Sequence, residues 1–331
     1  MSTPETPSAT PVQQPENMEK IDVVVNKRSG TVLRVGEDDV RKGLEESLGD
    51  RLGNIIFVEG KDIIPTVKKW TEDNVGKKRG LILGGGDGSV LTAAGLFLGR
   101  DDITLGVLPL GTHNLFARQL GFSADFREAA KQYKNVKADK VDVGNVNGEN
   151  FLVGLMIDQN SVDFYQAREL FRDRKFIKAA GKFLSTVFGI VAGRKAKLKV
   201  SGQEHKGRLF IVTNNQFDPR SNAGTLPKPT AEGLKPVIEN ILAKGASDGL
   251  LGFYAFKGGA HNLAAILPKM WNGTWTEARS VKVQTAPDLL IKSAGDKQEH
   301  LPIILDGEVK SAQYPLDVKM LPKALKVYRP G

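Results

Sequence analysis

The chain has 331 residues, of which 40% are hydrophobic and 26% charged, a globular composition that excludes a protein disordered throughout. The length predicts two domains. The absence of cysteine excludes disulfide scaffolds, thiolate zinc sites, iron–sulfur clusters and cysteine nucleophiles, and it is compatible with a cytoplasmic protein. The net charge of +9 favours anionic partners such as nucleotides, nucleic acid or an anionic lipid surface.

The first 19 residues predict a disordered tail. They contain four prolines, no Lys or Arg, and no apolar stretch of the kind found in a signal peptide. The longest uncharged apolar run in the chain, residues 183–193, has eleven residues. A membrane-spanning helix needs about 20. The pattern therefore predicts a protein that does not cross a membrane but could lie on one.

Residues 20–140 alternate between strand-like and helix-like segments. Short apolar runs at 21–25 and 54–60 indicate strands, and the segments 79–89 and 103–114 each indicate a strand that runs into a turn. The stretches that follow these segments have helical patterns. This rhythm is typical of parallel strands joined by helical crossovers. It predicts a doubly wound α/β domain over these residues.

Residues 141–331 have a different pattern, with short alternating segments and many turn residues. An Asn-Gly pair at 147–148 is typical of a β-hairpin turn. Further strand candidates lie at 208–215, 249–257, 279–285, 301–310 and 324–330. The pattern predicts a mostly antiparallel β domain.

The stretch 166–208 contains twelve basic and three acidic residues, so its excess of positive charge equals the net charge of the whole chain. Apolar residues recur within it at spacings compatible with a helix near 166–195: Phe171, Phe176, Phe183, Val187 and Val191. One interpretation is an interfacial helix on an anionic membrane. The other is a solvated helix packed on the β domain. The sequence leaves both open.

Two glycine-rich turns follow predicted strands, at residues 84–89 and 111–114. Ligands of open α/β sheets bind at the carboxyl edge of the strands, and a glycine turn that opens a helix exposes N–H groups to phosphate. Neither turn fits the dinucleotide GxGxxG pattern or the GK[ST] of a P-loop. The carboxylate of Asp87 would repel a bound phosphate unless Mg²⁺ lies between them, so Asp87 predicts Mg²⁺ with a nucleotide, or a proton-handling role.

Six blocks in order then point to a family: NKRSG (26–30), GGGDGS (84–89), LPLGTHNLFARQLG (108–121), VDVGNVNG (141–148), SDGLL (247–251) and LDGE (305–308). The chain resembles the bacterial diacylglycerol kinase catalytic-domain family, which includes sphingosine-kinase-like enzymes and lipid kinases related to NAD kinases. The resemblance implies an NAD-kinase-like α/β domain followed by an antiparallel β-sandwich domain. It also implies that ATP binds in the cleft between them.

The resemblance also assigns roles to residues. It implies that one set contacts ATP: Asn26, Ser29, Gly30, Gly85, Gly86, Asp87, Gly88, Ser89, Thr112 and Asn114. Asp306 and Glu308 match the motif that presents the general base to the lipid hydroxyl, although Asp-Gly is also a common hairpin turn. Asp248, with the carbonyls of Gly245 and Leu250, matches a second, structural Mg²⁺ site.

The sequence departs from the family pattern at two positions. Leu115 replaces an acidic residue that supports Mg²⁺ or the active-site network, and Lys27 replaces a proline. His113 could contact the nucleotide.

The leading hypothesis is an ATP- and Mg²⁺-dependent lipid kinase acting on a diacylglycerol-like or sphingoid-like lipid at a membrane surface, which the stretch 166–208 contacts. A catalytically weak nucleotide- or lipid-binding regulator and an NAD kinase are the alternatives. Nucleic-acid binding is not expected, because no binding motif is present. A homodimer is left open.

Overall fold

The computed structural model describes residues 20–111, 114–157, 195–217, 245–246, 248–271, 274–294, 300–306 and 308–331. The predicted tail over 1–19 and residues 166–194 of the predicted basic helix lie outside the described residues.

Four parallel strands form the centre of the first domain, in the spatial order β2, β1, β3, β4. The strands are β1 (Ile21–Asn26), β2 (Leu52–Val58), β3 (Arg79–Gly85) and β4 (Ile103–Pro109). The helices are α1 (Gly30–Val35), α2 (Glu37–Leu48), α3 (Ile63–Asp73), α4 (Asp87–Ala94), α5 (Leu115–Gln119) and α6 (Phe126–Gln132). Strands β1, β3 and β4 are almost wholly buried. Burial on both faces explains their continuous runs of Val, Ile and Leu.

The described part of the second domain consists mainly of strands. They are β5 (Val136–Val146), β6 (Glu149–Phe151), β7 (Gly154–Ile157), β8 (Ala196–Val200), β9 (Gln203–Gly207), β10 (Leu209–Thr213), β11 (Gln216–Phe217), β12 (Gly245–Ala246), β13 (Leu251–Phe256), β14 (Val281–Ala286), β15 (Asp288–Ser293), β16 (His300–Leu305), β17 (Glu308–Gln313) and β18 (Leu316–Pro330). One helix, α7 (Ala260–Trp271), lies between β13 and β14.

Six of these strands form an antiparallel sheet in the order β14, β13, β10, β7, β16, β17. Its inward side chains, such as Phe210 and Phe253, are fully buried against those of β8 and β15, such as Leu198 and Leu289. The two layers therefore enclose a core separate from that of the first domain. The predicted architecture, an α/β domain followed by a β-sandwich, is confirmed.

Strand β18 belongs to both domains. It pairs in parallel with β4 through Val327 and Leu105, and it pairs antiparallel with β5 and with β15. The predicted boundary between residues 140 and 141 falls inside β5. The point at which one domain ends therefore stays a prediction, because β5 and β18 belong to one ten-stranded sheet that continues from the parallel strands into β15, β8 and β9.

Two parts of the second domain differ from the sequence pattern. The described end of the basic stretch is a hairpin of β8 and β9, whose turn residues Ser201 and Gly202 have positive φ angles of 47° and 89°. Such angles are those of a tight hairpin turn. Helix α7 was not predicted, because Pro268 inside it interrupts the helical pattern.

Candidate active site

The first site feature is the crevice between β1 and β3, where the strand order of the parallel sheet reverses. Ligands of open α/β sheets bind at such a point, beyond the carboxyl ends of the strands. Asn26 ends β1, and its Nδ2 donates to Ser89 Oγ at 3.3 Å. Asn26 Oδ1 accepts from the N–H of Arg28 at 3.0 Å. The structure therefore brings the 26–30 turn against the 84–89 turn.

The two glycine turns are packed backbone to backbone. A Cβ at Gly111 would lie 2.4 Å from the Cα of Gly86 and 2.9 Å from Asn114 Oδ1, so only glycine fits there. Asn114 closes its turn with two hydrogen bonds to Gly111, one accepted at 2.8 Å and one donated at 3.0 Å. Its backbone is left-handed, with φ 51°, a conformation that Asn tolerates better than most residues.

Asp87 is the first residue of α4, and its Oδ1 accepts from the N–H of Phe116 at 3.0 Å. This bond links the 84–89 turn to α5. Leu115, the residue that departs from the family pattern, packs against the apolar core of the first domain. An apolar contact thus occupies the place where the resemblance expects an acidic group.

Ser29 has a buried Oγ with no hydrogen-bond partner among the described residues. Gly30 follows it as the first residue of α1. A buried hydroxyl without a partner is costly unless a ligand or water completes it. The unpartnered Ser29 hydroxyl, the close glycine backbones and the Asp87 carboxylate together fit a nucleotide phosphate accompanied by Mg²⁺. Thr112 and His113 lie outside the described residues.

Asp306 occupies the turn between β16 and β17, so it is a hairpin-turn residue as well as the residue that the resemblance assigns as general base. Its φ is 45°, as the first position of a tight hairpin turn requires. Its carboxylate is buried. One oxygen accepts from the N–H of Leu152 at 2.6 Å, and the other accepts from Val153 at 2.9 Å and Gly154 at 2.8 Å.

Burial raises the pKa of Asp306 to about 6, although the three backbone N–H groups oppose that shift. The charge of Asp87 adds to the increase. Glu308, at the start of β17, lies close to the 84–89 turn, because a Cβ at Gly88 would lie 2.8 Å from Glu308 Oε1. The second domain therefore brings Asp306 and Glu308 next to Asp87 and Gly88.

The predicted structural Mg²⁺ site is only partly described. Asp248 is exposed, and its Oδ1 accepts from the N–H of Leu250 at 3.1 Å. Gly245 begins β12. No cluster of three or more His, Asp or Glu side chains suited to a metal occurs in the part of the chain that the structure describes. The site therefore stays a prediction.

Asp142 is a buried carboxylate to which the sequence pattern assigned no role. It accepts from the N–H of Gly249 and of Lys323, each at 2.8 Å, and its carbonyl accepts from Asn214 Nδ2 at 3.2 Å. It thereby holds the loop next to Asp248 against β18. The only signal for it was its position inside the block at 141–148.

Comparison with known proteins identifies the family. Residues 20–146 match the model described as the diacylglycerol kinase catalytic domain. Residues 243–329 match the model described as the YegS C-terminal NAD kinase beta sandwich-like domain. The chain belongs to the diacylglycerol kinase catalytic-domain family. The predicted resemblance is confirmed.

Relatives and solved structures of this family agree with that placement. A protein of Staphylococcus carnosus named "Putative lipid kinase" is 25% identical over 260 residues, 73% of this chain and 74% of that one. The diacylglycerol kinase of Bacillus subtilis is 40% identical over 74 residues, 22% of this chain and 24% of its own length. A crystal structure described as a "putative diacylglycerol kinase" from Bacillus anthracis has a TM-score of 0.66 at 21% identity and covers 97% of this chain and 99% of that one. That structural likeness shows the fold.

By the names of its domains and relatives, the diacylglycerol kinase family is one of lipid kinases. In the described part of this member, no helix is both long and apolar enough to cross a membrane.

Proposed function

We propose that this family member is an ATP- and Mg²⁺-dependent lipid kinase that transfers the γ-phosphoryl group to the hydroxyl of a diacylglycerol-like or sphingoid-like lipid. The observation that carries the proposal is the approach of two carboxylates of the second domain, Asp306 and Glu308, to the Asp87–Gly88 turn of the first. A phosphate-binding turn facing a buried carboxylate is what phosphoryl transfer to a hydroxyl requires.

Each group then has a distinct task. When bound, Mg²⁺ neutralises charge on the transferred phosphoryl group. Asn26, Ser29 and the glycine turns would hold the phosphates, and Asp87 would hold the metal. Asp306 accepts three hydrogen bonds of the roughly four that a carboxylate can accept, which leaves room for the proton of the attacking hydroxyl. With a pKa of about 6, Asp306 is ionised at neutral pH, as a general base must be.

The direct test is transfer of label from γ-labelled ATP into an organic-extractable product, with a total bacterial lipid extract as acceptor. We expect labelled lipid with Mg²⁺ and none with excess chelator. NAD in place of the lipid extract is expected to give no labelled product, and label in NADP would instead establish an NAD kinase.

The packing of Leu115 into the core favours a second candidate, a nucleotide- or lipid-binding regulator with weak catalysis. The same assay separates the two functions. A protein that binds ATP tightly but yields no product from any lipid would be the regulator.

Lipid access is proposed to occur at a membrane surface on the cytoplasmic side. The basic stretch 166–208 is proposed to contact the membrane, and its described end carries Lys197, Lys199 and Lys206 on the β8–β9 hairpin. Binding to anionic vesicles should weaken as salt rises, because exposed charges are screened. Binding that does not change with salt would contradict this contact.

Gly88→Ala tests whether Glu308 must approach the phosphate turn. The added Cβ would lie 2.8 Å from Glu308 Oε1, and the exposed Glu308 side chain can move away. We expect a roughly 10²-fold loss of kcat/KM, the size expected for a misplacement of about 1 Å, with little change in the melting temperature. Gly95→Ala is the matched control, because its φ of −56° is helical and no atom lies within 4 Å of its added Cβ. Equal activity of the two variants would remove Glu308 from the mechanism.

A further inference from the structure

A basic cleft lies at the open edge of the β-sandwich, where β9 and β14 end their respective sheets. The ring of His205 on β9 lies 5.0 Å from that of Phe253 on β13, so the two sheets meet there. The cleft has a volume of about 410 Å³. It is lined by Gln203, Glu204, His205, Lys206, Lys257 and Lys282. None of these residues belongs to the candidate active site.

Two polar residues of β14 occupy the inner face of the sandwich. Lys282 pairs with Ala255 and Gln284 pairs with Phe253, and both partners are buried in the sandwich core. Side chains directly opposite each other on paired strands point to the same face of the sheet. Lys282 and Gln284 therefore point toward β9 across the open edge, at positions where apolar side chains would ordinarily close a core.

The side chains of His205 and Gln284 lie within hydrogen-bonding reach of each other, although neither His205 Nε2 nor Gln284 Oε1 has a partner of good geometry among the described residues. Burial lowers the pKa of His205, the hydrogen bond with Gln284 opposes the shift, and the charge of Lys282 adds to it. The edge thus holds a partly buried imidazole whose pKa is lowered by burial and by a neighbouring lysine.

The charges of the cleft are mostly uncompensated. Glu204 is the only acidic residue among its lining residues, and it pairs with Lys206 at 3.4 Å. Lys257 and Lys282 are exposed and form no ion pair within the described part of the chain. Two free ammonium groups beside an imidazole that can gain a proton favour a compact, multiply charged anion.

We propose that this open edge binds a phosphate group, carried either by a phospholipid headgroup or by a soluble phosphate compound. The site is independent of lipid phosphorylation, because it uses none of the glycine-turn residues. A lysine that points inward on an edge strand can also simply prevent edge-to-edge pairing of sheets. That role needs no ligand, and it is the outcome that would contradict the proposal.

The first arm of the test is titration with inorganic phosphate at constant ionic strength, followed by NMR of the His205 ring and assigned with His205→Gln. We expect the ring resonances to shift and the pKa of His205 to rise, because a bound anion stabilises imidazolium. In the Lys257→Gln/Lys282→Gln variant we expect phosphate to bind at least about tenfold more weakly, since two charge-assisted contacts are lost. The matched control is Lys68→Gln/Lys69→Gln, which removes the same charge from the exposed face of α3 and should bind as the wild type does.

The second arm identifies the source of the phosphate by vesicle flotation. Vesicles whose charge comes from a phosphomonoester lipid are compared with vesicles of equal charge whose anionic lipid is a fatty acid. If the wild type prefers the phosphomonoester vesicles and Lys257→Gln/Lys282→Gln loses that preference, the site is assigned to a lipid headgroup. Binding of inorganic phosphate without such a preference would assign it to a soluble compound. Absence of any His205 response to phosphate, together with vesicle binding equal in the double variant and the wild type, would overturn the proposal.

Discussion

Asp306→Asn is expected to lower phosphotransfer by about 10²–10⁴-fold, the usual contribution of a general base, while the protein stays folded at neutral pH. Two effects on stability oppose each other. Asparagine has one acceptor oxygen, so one of the three N–H groups that Asp306 now satisfies loses its partner, at a cost of about 1–3 kcal/mol. Removal of a buried charge gains a similar amount. The measurement is the label-transfer assay combined with urea unfolding.

The pH dependence of stability separates these effects. Because the pKa of Asp306 is about 6 when folded and 3.8 in its unperturbed state, the folded protein binds more protons between those values. Stability of the wild type therefore falls as pH rises through this window. Asp306→Asn lacks that titration, so relative to the wild type it should gain about 3 kcal/mol over the whole titration, of which roughly 2 kcal/mol falls between pH 4 and pH 6. A constant difference between the two proteins across this range would show that Asp306 titrates normally.

A matched control for Asp306→Asn is Asp22→Asn. Asp22 is also buried, and it accepts from Asn54 N–H at 2.7 Å and from Trp70 Nε1 at 2.8 Å. It lies near the start of β1, at the end of the sheet opposite to the glycine turns. We expect reduced stability but wild-type turnover per folded molecule. Equal loss of activity in both variants would mean that Asp306 acts only through the fold.

Asp87→Asn is expected to reduce phosphotransfer by about 10²–10³-fold, since it removes the charge proposed to hold the metal. The amide oxygen can still accept from the N–H of Phe116, so the melting temperature should change little. Asp87 also raises the pKa of Asp306, so the acid limb of the residual pH–rate profile should move to lower pH.

Asp73→Asn makes the same chemical change at an exposed position at the end of α3 and should have wild-type activity. If Asp87→Asn kept full activity and an unchanged pH profile, the assignment of Asp87 to the metal and its coupling to Asp306 would both be wrong.

Much of the fold was predictable because its signals are local. Runs of buried Val, Ile and Leu, alternating with helical patterns, indicate parallel strands wherever they occur. The hairpin at Asn147–Gly148 follows from turn chemistry, and both residues have positive φ angles. Strand β18 was predicted only over 324–330, although residues 316–320 alternate buried with more exposed side chains as a strand does, so this part of the strand was missed despite a local signal.

The same distinction applies to the site. The glycine turns and Asp87 were predicted from short motifs. The contact of Gly88 with Glu308, and the binding of Asp306 by the N–H groups of residues 152–154, depend on pairs more than 150 residues apart. Asp142 shows most clearly what short sequence motifs cannot predict. Its two N–H donors come from Gly249 and Lys323, which no spacing rule connects to it.

The position of β18 has a consequence for how the protein is made. Strand β4 pairs with β3 on one side and with β18 on the other, so during translation its second edge has no partner until residues 325–330 leave the ribosome. An unpaired strand edge is a site of aggregation. A fragment limited to residues 20–146 would carry that edge permanently. The first domain is thus expected to complete its sheet only after nearly all of the second domain has been synthesised.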